Sequence, residues 1–331
     1  MSWNNEVKIP GEVLRIAYEI KNMKIRGAGR IARAVAEAMI IGAESYRGES
    51  VNDFKDLMRK IIEILSSTRP TAVSLFNALS YISRRFENAE GDLDVIRSSV
   101  ITAAREFISY SLNAVKRIGE IGSRIIKNDD VILTHCNSSV VIETIIRAFK
   151  TGKRGIKVLA TETRPKFQGH ITAKMLSGRG IPVVLIPDSS VRYFMKDVDK
   201  VIVGADTIAA NGAVVNKIGT SLIALIASEA NVDFLVMAET YKFSPATLLG
   251  EYVKIEERSP EEVIPELSEL KGIKVRNPAF DVTPPEYITA IITEIGIIPP
   301  QASALVIKEY GWPIANYEHR EIAVEEDEPI L

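Results

Sequence analysis

The chain predicts an α/β protein in which an N-terminal helical domain is followed by a domain built on a mostly parallel sheet covered by helices. Three observations carry this expectation. Apolar residues recur at helical spacing through residues 11–120, with no competing strand-like alternation. From Asp130 onward, short β-rich runs appear at 131–134, 156–160, 182–186, 199–203 and 233–238. Amphipathic stretches of helical length, 139–150, 166–178 and 218–230, lie between most of them, with a shorter interval at 188–196. Strands apolar on both faces that alternate with helices make a parallel sheet buried on both sides.

In order, Val13, Ile16, Ala17 and Ile20 mark a first helix, and Ile31, Val35, Ala38 and Met39 a second. Leu57, Ile61, Ile62 and Leu65 form a third, which breaks at Ser66-Ser67-Thr68-Arg69-Pro70. Thr71 to Phe86 and Leu93 to Val115 supply two more. Turn residues punctuate the later units, as at Thr151-Gly152-Lys153 and Gly178-Arg179-Gly180-Ile181-Pro182. The expected division is a helical domain over 1–125 and a Rossmann-like α/β domain over 126–331. No repeat period is present, and the one biased tract is the acidic end, Glu325-Glu326-Asp327-Glu328.

The totals narrow the function classes. A net charge of −2 over 331 residues offers no basic field for nucleic acid or an anionic membrane. The single cysteine, Cys136, cannot form an internal disulfide, which favours a reducing compartment. The start, Met1-Ser2-Trp3-Asn4-Asn5-Glu6, lacks a basic segment followed by an apolar core, and no apolar run is long enough to cross a bilayer. A cytoplasmic protein with neither nucleic acid nor membrane as partner is expected. Glutamine occurs only at Gln168 and Gln301, while isoleucine, lysine and glutamate abound, a usage common in proteins from hot environments.

Two polar clusters lie just past the carboxyl ends of expected strands, the edge at which open α/β sheets bind ligands. The first is Thr134-His135-Cys136-Asn137, the second Gly204-Ala205-Asp206 with Asn211-Gly212 and Asn216-Lys217. A lone cysteine is most often a small buried hydrophobe. Cys136, however, follows a strand and precedes Asn137-Ser138-Ser139 at an expected helix start, where the helix dipole would depress a thiol pKa. His135 is expected to turn its side chain away, and one cysteine with three histidines excludes a zinc site. Asp206 read alone is a turn-capping aspartate. Its neighbours make a stronger case: Asn216-Lys217 leads into the 218–230 helix, so a cation and free N–H groups would meet there and suit a phosphate. Lys242, after the 233–238 strand, adds a cation at the same edge, and Glu162-Thr163-Arg164-Pro165-Lys166-Phe167-Gln168-Gly169 closes a third strand similarly.

Gly27-Ala28-Gly29-Arg30-Ile31-Ala32 fits a dinucleotide fingerprint, yet helix and not strand precedes it, so nicotinamide or flavin binding is rejected. Arg26 followed by small residues at a helix start makes instead an anion loop, or a plain helix–helix turn.

Together, RGA at 26–28, RPTAV at 69–73, THCN at 134–137, ETRPKFQG at 162–169, GADTIAANG at 204–212 and NKIG at 216–219 resemble one superfamily. It holds the methylthioribose-1-phosphate isomerases, the archaeal ribose-1,5-bisphosphate isomerases, and the alpha, beta and delta subunits of the exchange factor for eukaryotic initiation factor two. The resemblance spans residues 10 to 315. The isomerase branches keep a cysteine and an aspartate, matched by Cys136 and Asp206, which the exchange-factor subunits generally lack. RGAGRIAR in place of the RGAPAIG of the methylthioribose branch, with GIIPPQAS at 296–303, resembles the ribose-bisphosphate branch.

That resemblance implies conversion of ribose 1,5-bisphosphate to ribulose 1,5-bisphosphate in nucleoside salvage, through a cis enediol-type intermediate. It implies Cys136 as base and Asp206 as acid. Substrate contacts would come from Arg26, Gly27, Ala28, Gly29, Arg69, Gln168, Asn216, Lys217 and Lys242, with Arg164 and Lys166 either further contacts or surface charge. It implies no cofactor and no metal, activation by adenosine monophosphate in some members, and a homo-oligomer, often a hexamer of dimers.

Overall fold

The structure is a computed structural model, and it describes residues 8–264 and 272–310. The Met1–Glu6 start and the acidic Glu325–Glu328 end, on which two expectations fell, lie outside the described residues.

Five helices run first: α1 (Gly11–Lys21), α2 (Ala28–Ser45), α3 (Val51–Thr68), α4 (Val73–Glu87) and α5 (Leu93–Ser123). Ser50 caps α3 by accepting from the Asp53 N–H, and Asp92 caps α5 by accepting from the Val95 N–H. The apolar faces read from the sequence are buried: Val13, Ile16 and Ile20 of α1 pack with Val35 and Met39 of α2, Phe54 and Ile61 of α3, Phe86 of α4 and Phe107 of α5. The C-terminal part of α5 leaves this core, and Ile118 joins the layer on one face of the sheet with Ile145 and Val158.

The α/β part follows in the expected alternation: β1 (Val131–Thr134), α6 (Ser139–Lys150), β2 (Lys157–Thr161), α7 (Gln168–Ser177), β3 (Val183–Ile186), α8 (Val191–Phe194) and β4 (Lys200–Gly204). Then come β5 (Thr207–Ile208), β6 (Val214–Lys217), α9 (Thr220–Glu229), β7 (Asp233–Met237), β8 (Phe280–Thr283), β9 (Ala290–Thr293), β10 (Gly296–Ile298) and α10 (Ser303–Tyr310). The main sheet has seven strands in the order β10-β9-β7-β4-β1-β2-β3. All neighbours pair in parallel except β9 and β10, which are antiparallel.

The chain builds outward from β1 through β2 to β3, then returns to place β4 on the other side of β1. The crevice between β1 and β4 is therefore the topological switch point, where such sheets bind ligands. Cys136 follows β1 and Asp206 follows β4, so sheet topology brings together two residues seventy positions apart.

Three departures from the sequence reading bear on the site. Residues 207–217, expected as a polar loop cluster, include β5 and β6, which join β8 in a small antiparallel sheet. The α7 helix starts at Gln168 instead of 166, because Phe167 takes a left-handed conformation (φ 54°). The α9 helix starts at Thr220 instead of 218, because Gly219 sits at φ 102°.

Candidate active site

A cavity of about 210 Å³ opens at the switch point. The expected catalytic pair and the nine expected substrate contacts line it: Arg26, Gly27, Ala28, Gly29, Arg69, Cys136, Gln168, Asp206, Asn216, Lys217 and Lys242. Each arrives for a local reason. Gly27, at φ 91°, precedes α2 and leaves its first N–H groups without a side-chain cap, so Gly27, Ala28 and Gly29 present backbone donors beside Arg26. Ser138 likewise leaves the start of α6 uncapped at the cavity wall. Gln168 opens α7, and its buried Oε1 has no hydrogen-bond partner. Arg69 ends α3.

Cys136 takes a left-handed conformation, φ 68°, and its N–H donates to Thr163 Oγ1 (2.9 Å). Thr163 is itself left-handed, φ 61°, and its N–H donates to Asp188 Oδ1 (2.8 Å). Strained residues of this kind persist where surrounding bonds fix them. His135 is buried beside this loop: Nδ1 shares a hydrogen bond with Thr161 Oγ1 (2.6 Å), and Nε2 lies 2.9 Å from the Ile218 carbonyl. Burial pushes His135 down to about 4, so the ring is neutral and Nε2 is the donor to that carbonyl. The imidazole thus ties the Cys136 loop to the Lys217–Gly219 loop.

The electrostatics of the central pair require one correction. A depressed thiol was expected from the α6 start. Instead, burial pushes the Cys136 thiol up to about 11, Asp206 adds to the rise, and Lys217 and Arg26 oppose it. The helix begins three residues later, at Ser139, so its dipole does not outweigh the loss of water. Asp206 is also raised by burial, against the pull of Lys242, Lys217, Arg69 and Arg258. The cavity therefore favours a neutral thiol and biases Asp206 toward its acid form.

A second correction concerns the α9 start, expected to offer free N–H groups to a phosphate. The Gly219 and Ser221 N–H groups both donate to Asp281 Oδ2 (2.7 and 3.1 Å), so a carboxylate from β8 already fills that position. Lys217 serves the cavity in another way. Its Nζ donates to the Ala279 carbonyl (2.7 Å) and lies over the Phe280 ring, and burial lowers its pKa. Asn216 is held by Nδ2 donation to Thr220 Oγ1 (3.0 Å).

Lys242 is fixed by Glu239, 2.7 Å away and fully buried. Tyr241, between them in sequence, turns into the helical core, its hydroxyl donating to Glu239 Oε1 (2.9 Å). Asn77 of α4 clamps this turn by donating to the Tyr241 and Phe243 carbonyls (both 2.9 Å). Neither Arg164 nor Lys166 lines the cavity: Arg164 lies over the Phe167 ring and Lys166 pairs with Glu262 (3.1 Å). The sequence reading missed Arg258, Glu239 and Asp281. Arg258 carried no signal, because it lies in a segment without strand or helix periodicity.

Among the described residues, no group of three or more histidine, cysteine, aspartate or glutamate side chains is placed to hold a metal ion. None of their helices is long and apolar enough to cross a membrane.

The fold and these residues can be compared with known proteins. A family model described as the initiation factor 2 subunit family matches residues 24–300. The chain belongs to that family. Within it, the chain is 53% identical to the ribose 1,5-bisphosphate isomerase of Thermococcus kodakarensis over 315 residues, covering 93% of this chain and 97% of that protein. It is 54% identical to the protein of the same name from Archaeoglobus fulgidus, over 95% of this chain and 97% of the relative. Among solved structures, the 5-methylthioribose 1-phosphate isomerase of Pyrococcus horikoshii superposes with a TM-score of 0.75 at 36% identity, covering 90% of this chain and 86% of that one.

Proposed function

We propose that this family member is an aldose–ketose isomerase that converts ribose 1,5-bisphosphate to ribulose 1,5-bisphosphate. One observation carries the reading: Cys136 and Asp206, delivered by adjacent strands at the switch point, face one cavity ringed by cations. The relatives named for this reaction support the choice of sugar.

The substrate is a ring closed through its C4 oxygen, so the ring must open before carbon two can lose a proton. In this reading Asp206, whose hold on its proton is strengthened by burial, gives that proton to the ring oxygen as the C1–O4 bond breaks. Cys136, as thiolate, takes the C2 proton, and the electron pair forms the C1=C2 bond of an enediol-type intermediate. Transfer of that proton from sulfur to C1, with loss of the O2 proton to the Asp206 carboxylate, gives the ketone. Both groups finish as they began. Arg26, Arg69, Lys217 and Lys242, with the N–H groups of 27–29, hold the phosphates, while Gln168 and Asn216 take the sugar hydroxyls.

The same reading includes a cytoplasmic location, place in nucleoside salvage, a helical domain over 1–125 and an α/β domain over 126–331. It also includes a homo-oligomer, a hexamer of dimers, and activation by adenosine monophosphate; light scattering and assays with and without the nucleotide test these two. The decisive experiment incubates the protein with ribose 1,5-bisphosphate and, separately, methylthioribose 1-phosphate. Ketose from the first, lost in Cys136→Ser, is expected. Turnover of the second alone moves the protein to the methylthioribose branch. Turnover of neither, with a stable complex to initiation factor two, makes it a regulatory subunit.

A further inference from the structure

One cluster at the cavity is not explained by the Cys136–Asp206 pair. Arg69 Nη2 donates to Glu256 Oε2 (2.6 Å), and Arg258 Nε lies 3.3 Å from Glu256 Oε1. The two arginine side chains are only 10% and 9% exposed, so two guanidinium groups share a single carboxylate almost out of water. Their other donors are poorly used. Arg69 Nη1 and Arg258 Nη2 both point at the Met23 sulfur (2.8 and 3.4 Å), a weak acceptor. The buried Nε of Arg69 has no hydrogen-bond partner. Glu262 approaches Arg258 at 3.8 Å but is shared with Lys166 at 3.1 Å.

Two nearly buried cations with so little compensation make an expensive arrangement unless a further anion completes it. Arginine forks match a tetrahedral phosphate, which carries more charge than a carboxylate and has more acceptor oxygens. Both arginines line the cavity, and both act on Asp206 electrostatically, so such an anion would sit at the Asp206 end. Glu256 is 25% exposed, so its side chain already reaches water.

We propose that Arg69 and Arg258 form a phosphate-binding fork which Glu256 occupies as an internal counter-ion, and that one phosphate group of the substrate displaces Glu256 on binding. Arg258 is then a further substrate-binding residue, and Glu256 a competitor of the substrate, not a support for it. The identity of the displacing group rests on the bisphosphate reading above.

Glu256→Gln tests this directly, because it keeps shape and removes the competing charge. Titration calorimetry with inorganic phosphate, and with ribose 1,5-bisphosphate, is expected to give binding about three- to tenfold tighter than the wild type, the worth of about one ordinary net hydrogen bond. Arg258→Gln is expected to weaken both ligands by about tenfold or more, with Arg258→Lys between. A gain in affinity cannot come from misfolding, so the glutamine variant keeps the test sound if Arg258→Gln unfolds. Weaker or unchanged binding in Glu256→Gln overturns the proposal, as does unchanged affinity in a folded Arg258→Gln. If the wild type makes no ketose yet Glu256→Gln tightens phosphate, the isomerase reading fails and the fork stands. If ketose forms but phosphate binding is not tightened, the fork alone fails.

Discussion

The raised thiol makes an unusual demand on the pH profile. In the proposed mechanism Cys136 works as thiolate and Asp206 as acid, although the cavity favours the neutral thiol. Burial moves the thiol from 9.0 to about 11, which disfavours the thiolate by about 2.7 kcal/mol. At pH 7 about one molecule in ten thousand then carries the thiolate, a barrier contribution of about 5 kcal/mol. Between the two pKa values, each pH unit raises the thiolate tenfold and lowers the acid tenfold, so kcat/KM should be flat. It should fall below the pKa of Asp206 and above that of Cys136. The limbs are thus reversed from the usual order, with the base setting the alkaline one. Because Cys136 is the only cysteine in the chain, iodoacetamide alkylation reads its ionisation directly. The alkylation rate should climb about tenfold per pH unit from 7 to 10 without levelling, and Asp206→Asn should shift the curve to lower pH. A plateau beginning below pH 8 in the ligand-free wild type would refute the argument, since the α6 dipole and Lys217 would then outweigh burial.

Two predictions concern stability. A Cβ at Gly169 would lie 1.7 Å from the Thr161 carbonyl oxygen, so Gly169→Ala must push α7 off β2; a loss of about 3 kcal/mol, or about 6–12 °C in Tm, is expected by thermal melting. His135 falls from 6.5 to about 4 on folding, so its contribution is full above pH 6.5 and is lost as pH falls toward 4. That loss is about 3 kcal/mol, and urea titrations at pH 7 and 4.5 should show a markedly smaller acid loss in His135→Gln than in the wild type.

Legibility followed sequence range. Helices α1 to α5 and strands β1, β2, β3, β4 and β7 could be read because each carries its own period, and the polar residues after β1 and β4 were visible as strand ends. Strand β9, the edge strand β10 and the small β5-β6-β8 sheet were missed, being short, and two of their pairings join segments distant in sequence: β9 pairs with β7, and β6 with β8 more than sixty residues away. The cavity residues read correctly were those on or beside such elements. Arg258, Glu256 and Asp281 were invisible because their places depend on a segment that crosses back over the cavity after β7.

The error about Cys136 has the same origin. Local sequence announced a helix start and therefore a stabilised thiolate, an inference that needs only a few residues. The opposing effect needed the whole fold: the cavity is walled by the α2 start, by Arg69 at the end of α3 and by the segment carrying Arg258, and their packing leaves the half-buried Cys136 short of the water that a thiolate requires. That same closure pushes Asp206 up, toward its acid form. A site open enough to lower the thiol would also release the proton that ring opening uses, so the high thiol pKa and the available acid are two consequences of one enclosure. The fork at Arg69 and Arg258 belongs to this balance, since a phosphate seated there offsets cations that now pull Asp206 toward ionisation. Binding of the doubly phosphorylated sugar should therefore favour the acid form at the moment it is needed.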